Sequence, residues 1–198
     1  MDRGRGRLVN IILGIILVVS LGLLFLENAA AITGHASEGY TTSNVTISKY
    51  FSILMSDELS VGIQFGTVNT LNVQDVNATE NYDANNQTLY YINVSTDSNT
   101  AVDFCISASG NMEDPIGGGN IGLDNETYHA INETSDINNP SPASQVALTT
   151  SYARAVNNTS PGNQNNWRFW LDIPAAQEAG TYNNTVSFRG IQTGQVSC

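Results

Sequence analysis

The stretch WRFWLDIP, residues 167–174, is the part of this 198-residue chain that most clearly predicts its fold class. Every second residue is apolar, and in an extended strand these residues share one face: Trp167, Phe169, Leu171 and Ile173. Arg168, Trp170 and Asp172 alternate with them and are expected to face outward. Pro174 has no backbone N–H for a ladder and ends the strand. A strand with one apolar face needs a second layer to cover it.

Alternation of the same kind, rich in Thr, Val, Ile and aromatic residues, recurs after residue 31 and predicts further strands. The segments are NVTISKYFSI (44–53), LSVGIQFG (59–66), TLYYINVS (88–95), AVDFCISA (101–108) and TYNNTVSFRGI (181–191). Turn residues at 97–99 predict that the third and fourth segments form a hairpin, with Cys105 facing outward. About seven to nine strands predict an all-β fold, an antiparallel β-sandwich of the jelly-roll or immunoglobulin-like type.

A polar stretch at about residues 109–142 interrupts this pattern and predicts a long loop. It contains the turn-forming sequences DPIGGGN and NNPSP. A short helix or a pair of strands inside it is left open. The alternation resumes after the loop with a strand expected at about residues 145–150.

The N-terminus has the layout of an export signal. Arg3, Arg5 and Arg7 precede an apolar run at residues 8–26, and three alanines follow at 29–31. We expect a signal peptide over residues 1–31 and an extracellular domain over 32–198. A retained signal-anchor helix and a type IV pilin-like subunit that keeps the helix are the alternatives. In each case only the N-terminal segment meets the membrane.

The chain is strongly acidic, with a formal net charge of −11. After residue 31 its only cations are Lys49, Arg154, Arg168 and Arg189, against sixteen carboxylates. Nucleic-acid binding needs Lys and Arg to neutralise phosphates, so nucleic acid is excluded as a partner.

Nine Asn-x-Ser/Thr sequons are present in the exported part and predict a glycosylated surface. They begin at Asn44, Asn77, Asn86, Asn93, Asn125, Asn132, Asn157, Asn158 and Asn183. Cys105 and Cys198 are the only cysteines, and an oxidising compartment favours a bridge between them. A bridge between two chains and two free thiols are the alternatives.

No catalytic motif is present, so we expect no enzymatic activity. The zinc-protease pattern H-E-x-x-H and the nucleophile elbow G-x-S-x-G are both missing, and His129 lies alone in the long loop. No cofactor is predicted. Calcium is the one metal with candidate ligands, Asp114, Asp124 and Glu126, because it accepts irregular sets of oxygen atoms.

Three segments resemble the β-sandwich filament subunits of prokaryotes, the TasA/camelysin-like proteins and the archaeal bundling pili. They are LSVGIQFGTVN (59–69), LYYINVSTDSNTAVDFCISASG (89–110) and WLDIPAAQEAGTYNNTVSF (170–188). The resemblance implies assembly by donor-strand complementation, in which the N-terminal strand of one subunit completes the sheet of the next. The corresponding donor here is the segment 40–51, with Val45, Ile47 and Phe51 as its inserted side chains.

We therefore expect a secreted or cell-surface structural subunit that binds copies of itself, other surface proteins or glycans. The alternative is a secreted or membrane-anchored adhesin or carbohydrate-binding β-sandwich. In that alternative Trp167, Trp170 and Tyr152 would stack on sugar rings if they are exposed.

Overall fold

The computed structural model describes residues 12–21, 41–117, 119–132 and 140–198. The chain divides into two compact units, Met1–Thr46 and Ile47–Cys198. In the first unit, residues 12–21 are helical and exposed. Within the described ranges, no helix has both the length and the hydropathy that crossing a membrane requires. The signal-peptide boundary predicted near residue 31 lies outside the described residues.

The second unit is mostly β-sheet with few helices, which confirms the all-β prediction. Its strands are β1 (Ile53–Met55), β2 (Val73–Asn77), β3 (Tyr91–Val94), β4 (Val102–Ala108), β5 (Met112–Glu113), β6 (Asn120–Ile121), β7 (Glu126–Asn132), β8 (Val146–Ala147), β9 (Ala153–Thr159), β10 (Gln164–Ile173) and β11 (Val186–Gln192). The helices are α1 (Asp57–Val61) and the 3-10 helices Leu123–Asn125 and Pro142–Ser144. The described residues thus contain eleven strands instead of the expected seven to nine, because three strands are only two residues long.

Two main sheets and one small hairpin contain all the strands of the described residues. Sheet 1 has the order β1-β3-β10-β7-β8, and β2 also pairs with β10. Sheet 2 has the order β11-β4-β9, while β5 and β6 form the separate hairpin. Every pairing is antiparallel. The long strand β10, which contains residues 167–173, is therefore the central strand of sheet 1.

One hydrophobic core contains residues of both sheets, and aromatic rings occupy its centre. Trp167 and Phe169 of β10 lie nearly parallel, with ring centroids 6.4 Å apart. Phe188 of β11 meets Trp167 edge-on at 5.1 Å and Phe169 edge-on at 6.4 Å. Tyr90 contacts Phe169 edge-on at 5.6 Å. Edge-to-face pairs of this kind contribute about 0.5–1.5 kcal/mol each beyond the burial of their area.

Side chains complete the ladder of β10 between the parts that pair with β2 and β3. The Asn81 amide donates to the Phe169 carbonyl oxygen at 2.6 Å and accepts from the Phe169 N–H at 2.9 Å. Thr88 Oγ1 donates to the Trp167 carbonyl oxygen at 2.6 Å. The loop between β2 and β3 can therefore leave the sheet while the buried backbone of β10 keeps its hydrogen bonds.

The prediction that Arg168 and Trp170 face outward into solvent is wrong. Arg168 is 3% exposed and Trp170 is 1% exposed. The Arg168 guanidinium donates to the carbonyl oxygens of Asn81 at 2.8 Å, Pro140 at 2.9 Å and Asn86 at 2.8 Å. Both faces of β10 are therefore buried, and alternation alone cannot show this because one face is covered by loops.

The strand predicted over residues 59–66 is also wrong, because α1 occupies its first part. Ser56 caps the helix: its Oγ accepts from the Leu59 N–H at 3.2 Å, and two carboxylates occupy the first turn. Gly62, with a φ of 124°, follows the last helical residue. Residues 62–70 then form no regular element.

The predicted hairpin of β3 and β4 does not form. β3 pairs with β1 and β10 in sheet 1, whereas β4 pairs with β11 and β9 in sheet 2. The turn at residues 97–99 therefore connects the two sheets. The long loop expected at 109–142 is wrong in part as well, because it contains β7, which pairs with β10 along seven residues. The pair of strands that was left open inside this loop is the β5–β6 hairpin.

Cys105 alternates with the core residues of β4, but it is buried by the C-terminal segment. The structure contains the predicted intramolecular disulfide between Cys105 and Cys198, with the Cα atoms 6.0 Å apart. Arg189 donates to the Cys198 carbonyl oxygen at 2.6 Å, and Arg154 donates to the Gln195 carbonyl oxygen. The end of the chain is thus fastened to sheet 2 by one covalent bond and two charge-assisted hydrogen bonds.

Candidate assembly site

A groove of about 1220 Å³ lies between the segment that begins with α1 and the segment that leads into β11. Its apolar walls include Leu59, Ile63, Phe65, Ile173, Val186 and Phe188. Pockets for small molecules usually measure about 300–1,000 Å³. The groove is larger than that, so it has room for a stretch of polypeptide.

One wall of the groove is the edge strand of sheet 2. Among the described strands, β11 pairs only with β4, so its other edge has no strand beside it. Val186 and Phe188 alternate along β11 and both line the groove. An open edge offers backbone N–H and C=O groups to an added strand, and neighbouring pockets take alternate side chains. An unpaired strand edge and an adjacent groove are the two features that β-strand addition uses.

Residues 62–68 form the opposite wall. The Thr79 N–H donates to the Gln64 carbonyl oxygen at 2.7 Å, which ties this segment to the residues that follow β2. Ile63 and Phe65 are half-buried and pack against the core, while Gln64 between them is exposed. Residues 63–65 therefore alternate between half-buried and exposed side chains, as the sequence pattern predicted, although the segment does not form a strand.

A buried carboxylate, Glu126, lies among these groove residues. Glu126 is the first residue of β7 and is 1% exposed. The Asn184 Nδ2 donates to its Oε2 at 2.6 Å. Burial raises the pKa of Glu126 above its ordinary value of 4.5, and the hydrogen bond from Asn184 acts in the opposite direction. Sequence reasoning placed this residue with calcium ligands and missed both its burial and its amide partner.

The segment expected to act as a donor strand is exposed over residues 41–50. Val45 is 85% exposed and Ile47 is 75% exposed, so both apolar side chains lie at the surface. Phe51, the third expected insertion residue, is half-buried and packs against the core of its own chain. The exposed apolar part of the segment is therefore shorter than the expected range of 40–51.

The three calcium candidates lie in different surroundings. Asp114 is buried, and its carboxylate accepts from the N–H groups of Ile116 and Gly117 at 3.0 Å each. Asp124 is exposed, whereas Glu126 faces the groove. Across the described part of the chain, no three acidic, histidine or cysteine side chains gather as a metal site requires.

The nine sequon asparagines fall into two groups. Six are exposed: Asn44, Asn77, Asn86, Asn157, Asn158 and Asn183. Asn93, Asn125 and Asn132 are half-buried. The Asn132 side chain donates to the Asn157 carbonyl oxygen at 2.5 Å and accepts from Thr159 Oγ1 at 2.5 Å. A glycan on Asn132 would have to break these two hydrogen bonds.

The aromatic residues proposed for sugar stacking do not form an exposed platform. Trp167 and Trp170 are buried. Tyr152 is half-buried, and the Arg189 guanidinium lies 3.9 Å from the centre of its ring.

His129 has a structural hydrogen bond: its Nδ1 accepts from the Ser141 N–H at 2.8 Å, and burial lowers its pKa.

No family model matches this chain, and no curated protein shows significant similarity to it. Its function must therefore be argued from the groove, the edge of β11 and the exposed segment 41–50. These features offer backbone hydrogen bonds and apolar surface, which is the chemistry of noncovalent association.

Proposed function

We propose that this protein is a non-enzymatic extracellular structural subunit of a surface filament, assembled by donor-strand complementation. Residues 41–47 of one copy enter the groove of the next copy and pair with β11, while residues 48–50 stay hydrogen-bonded to Asn99 of their own chain. One observation carries the proposal: the same chain has an open strand edge beside an apolar groove and an exposed segment with alternating apolar residues.

The apolar residues of the donor segment and those of the edge strand β11 have the same spacing along the chain. Val45 and Ile47 are two residues apart, as are Val186 and Phe188 on the edge strand. In paired strands, residues two apart share a face and meet the corresponding face of the neighbour. Burying a Val or Ile side chain contributes about 1.5–3 kcal/mol. Because Val45 and Ile47 are largely exposed in the single chain, most of this burial free energy becomes available only on assembly.

The extracellular setting has independent support. Disulfides persist in oxidising compartments, and Cys105 and Cys198 form one. The basic, apolar and small-residue order at the N-terminus is that of an export signal, and six sequon asparagines are exposed. In this proposal sheets 1 and 2 are the layers of a jelly-roll or immunoglobulin-like sandwich, the fold implied by the resemblance to TasA-like subunits and archaeal bundling pili.

Electron microscopy and sedimentation of the purified full chain test the proposal. We expect fibres from the wild type and none from the double variant V45S/I47S, which removes the two apolar side chains. The matched control is T46S/S48T, which changes the intervening polar residues and should still form fibres. A wild type that stays monomeric at high concentration, or fibres of V45S/I47S equal to those of the wild type, would refute the proposal.

A further inference from the structure

Glu126 is a buried ionisable group among the residues that line the groove. The groove is lined by apolar side chains and by uncharged polar ones such as Gln64 and Gln177, and Leu171, the Cα partner of Glu126 on β10, lines it too. The Asn184 amide occupies one carboxylate oxygen, Oε2. A carboxylate in such surroundings is stabilised mainly by that hydrogen bond and by whatever water the groove admits.

Few charges can compensate Glu126 from the elements packed around it. Besides Glu126, the ionisable residues that line the groove in the described part of the chain are Glu178 and Tyr182. Glu178 is exposed, and the Tyr182 hydroxyl donates to its backbone carbonyl oxygen at 2.8 Å. Tyr128, two residues along β7, is buried. The β5–β6 hairpin contributes the apolar Met112 and Ile121 to the groove. None of these side chains is a cation.

Insertion of apolar side chains expels water from the groove, and this acts differently on the two forms of Glu126. The ionised form loses its remaining hydration and gains no positive partner, whereas the neutral acid loses little. An occupied groove therefore favours the neutral carboxylic acid more than an empty groove does.

We propose that filling of the groove is coupled to the uptake of one proton by Glu126, so that subunit association strengthens as the pH falls. The inference rests on the proposed function, because it concerns the regulation of the same groove. Burial has already raised the pKa of Glu126 above 4.5 in the empty groove, so the coupling operates at higher pH than it would for an exposed glutamate.

Peptide binding to the full chain tests this directly. A fluorescent peptide with the sequence TTSNVTISKY (residues 41–50) is blocked at both ends. The full chain is added to it in increasing concentration in a buffer that contains EDTA, and binding is followed by fluorescence anisotropy. The full chain is held below the concentration at which it forms fibres. Between about pH 5 and about pH 8 we expect the wild-type Kd to rise by up to about tenfold per pH unit. The variant E126Q should bind independently of pH, as tightly as the wild type does in acid.

The control variant is E178Q, which removes the exposed carboxylate at the same groove and should keep the wild-type pH dependence. A second readout needs no variant: calorimetry of the wild type in buffers of different ionisation enthalpy should show net proton uptake on binding. A pH-independent wild-type Kd, or a pH dependence that E126Q retains, would overturn proton coupling and leave strand insertion standing. If the peptide binds neither protein at any pH, the proposed function falls together with its regulation.

Discussion

Replacing Arg168 should destabilise the protein more than replacing any other arginine of the described residues. Its guanidinium satisfies three backbone carbonyl oxygens from two loops and lies 4.0 Å from the centre of the Tyr82 ring. In the variant Arg168→Met the aliphatic volume is roughly kept, but these hydrogen bonds are lost. The carbonyl of Asn86 can turn to water because that residue is exposed, whereas Asn81 and Pro140 are buried.

The magnitude follows from those two buried carbonyls. Leaving a buried polar group without a partner costs about 1–3 kcal/mol, so we expect the free energy of unfolding to fall by about 2–6 kcal/mol. The variant also avoids the free-energy cost of burying the Arg168 charge, so we expect the loss of unfolding free energy to lie in the lower half of this range. Urea denaturation followed by tryptophan fluorescence measures it, because both tryptophans, Trp167 and Trp170, are buried and lie within two residues of position 168.

The chain offers a matched control in Arg189. It also donates to a carbonyl oxygen, that of Cys198, and also lies over a tyrosine ring, that of Tyr152, but it is exposed. Interactions of exposed charges contribute about 1 kcal/mol or less, so Arg189→Met should cost little. If Arg168→Met costs no more than Arg189→Met, the argument that buried carbonyls decide the difference is refuted.

Four further predictions concern the disulfide, the helix cap, the groove and the glycans. Cys198→Ser opens a bridge between residues 93 apart in sequence and should lower the free energy of unfolding by roughly 4 kcal/mol in urea denaturation of the oxidised proteins; an unchanged midpoint would contradict it. Ser56→Ala removes the cap of α1 and should cost about 1 kcal/mol in the same assay, whereas Ser60→Ala is the control on that helix. Because the pKa of Glu126 is raised in the folded state, the stability it contributes is fully present below about pH 4.5 and is lost as the pH rises through the raised pKa; comparing unfolding of the wild type and E126Q across pH checks the sign. Mass-spectrometric mapping of the native protein should find glycans at Asn157 or Asn158 and none at Asn132, whose amide is bound to the Asn157 carbonyl and Thr159; an occupied Asn132 would contradict this.

The alternation of apolar and polar residues correctly predicted strands that have an apolar face and are hydrogen-bonded to a neighbouring strand on each side. β10 and β4 are examples, and the all-β fold followed from them. The same signal failed at residues 59–66, where Ser56 and two carboxylates cap a helical turn that competes with the extended form. It also failed for β7, whose sequence ETYHAIN includes few large apolar residues, so its membership of sheet 1 depends on the neighbouring β10.

The site was predictable only in part, for a related reason. The apolar residues Val45 and Ile47 and the groove residues Ile63 and Phe65 are visible in the sequence as alternating patterns. Their different exposure is not visible, because it depends on whether a second layer lies over each segment. Glu126 was even harder to find, since its partner Asn184 is 58 residues away and only folding brings the two together.

The two edge strands of sheet 2 differ in the sequons that they carry. Among the described strands, β9 and β11 each pair only with β4, so each has an edge without a strand beside it, although the Asn132 side chain already donates to the Asn157 carbonyl oxygen of β9. β9 carries the exposed sequon asparagines Asn157 and Asn158, where glycans would keep a second strand away. β11, over residues Val186–Gln192, contains no sequon and lies beside the groove, but the exposed sequon residue Asn183 precedes it by three residues and lines that groove. A chain selected to remain a monomer needs both edges protected. A chain that polymerises in one direction needs one edge closed and the other left open, which is the arrangement that glycosylation of β9 would produce if Asn183 stays unmodified.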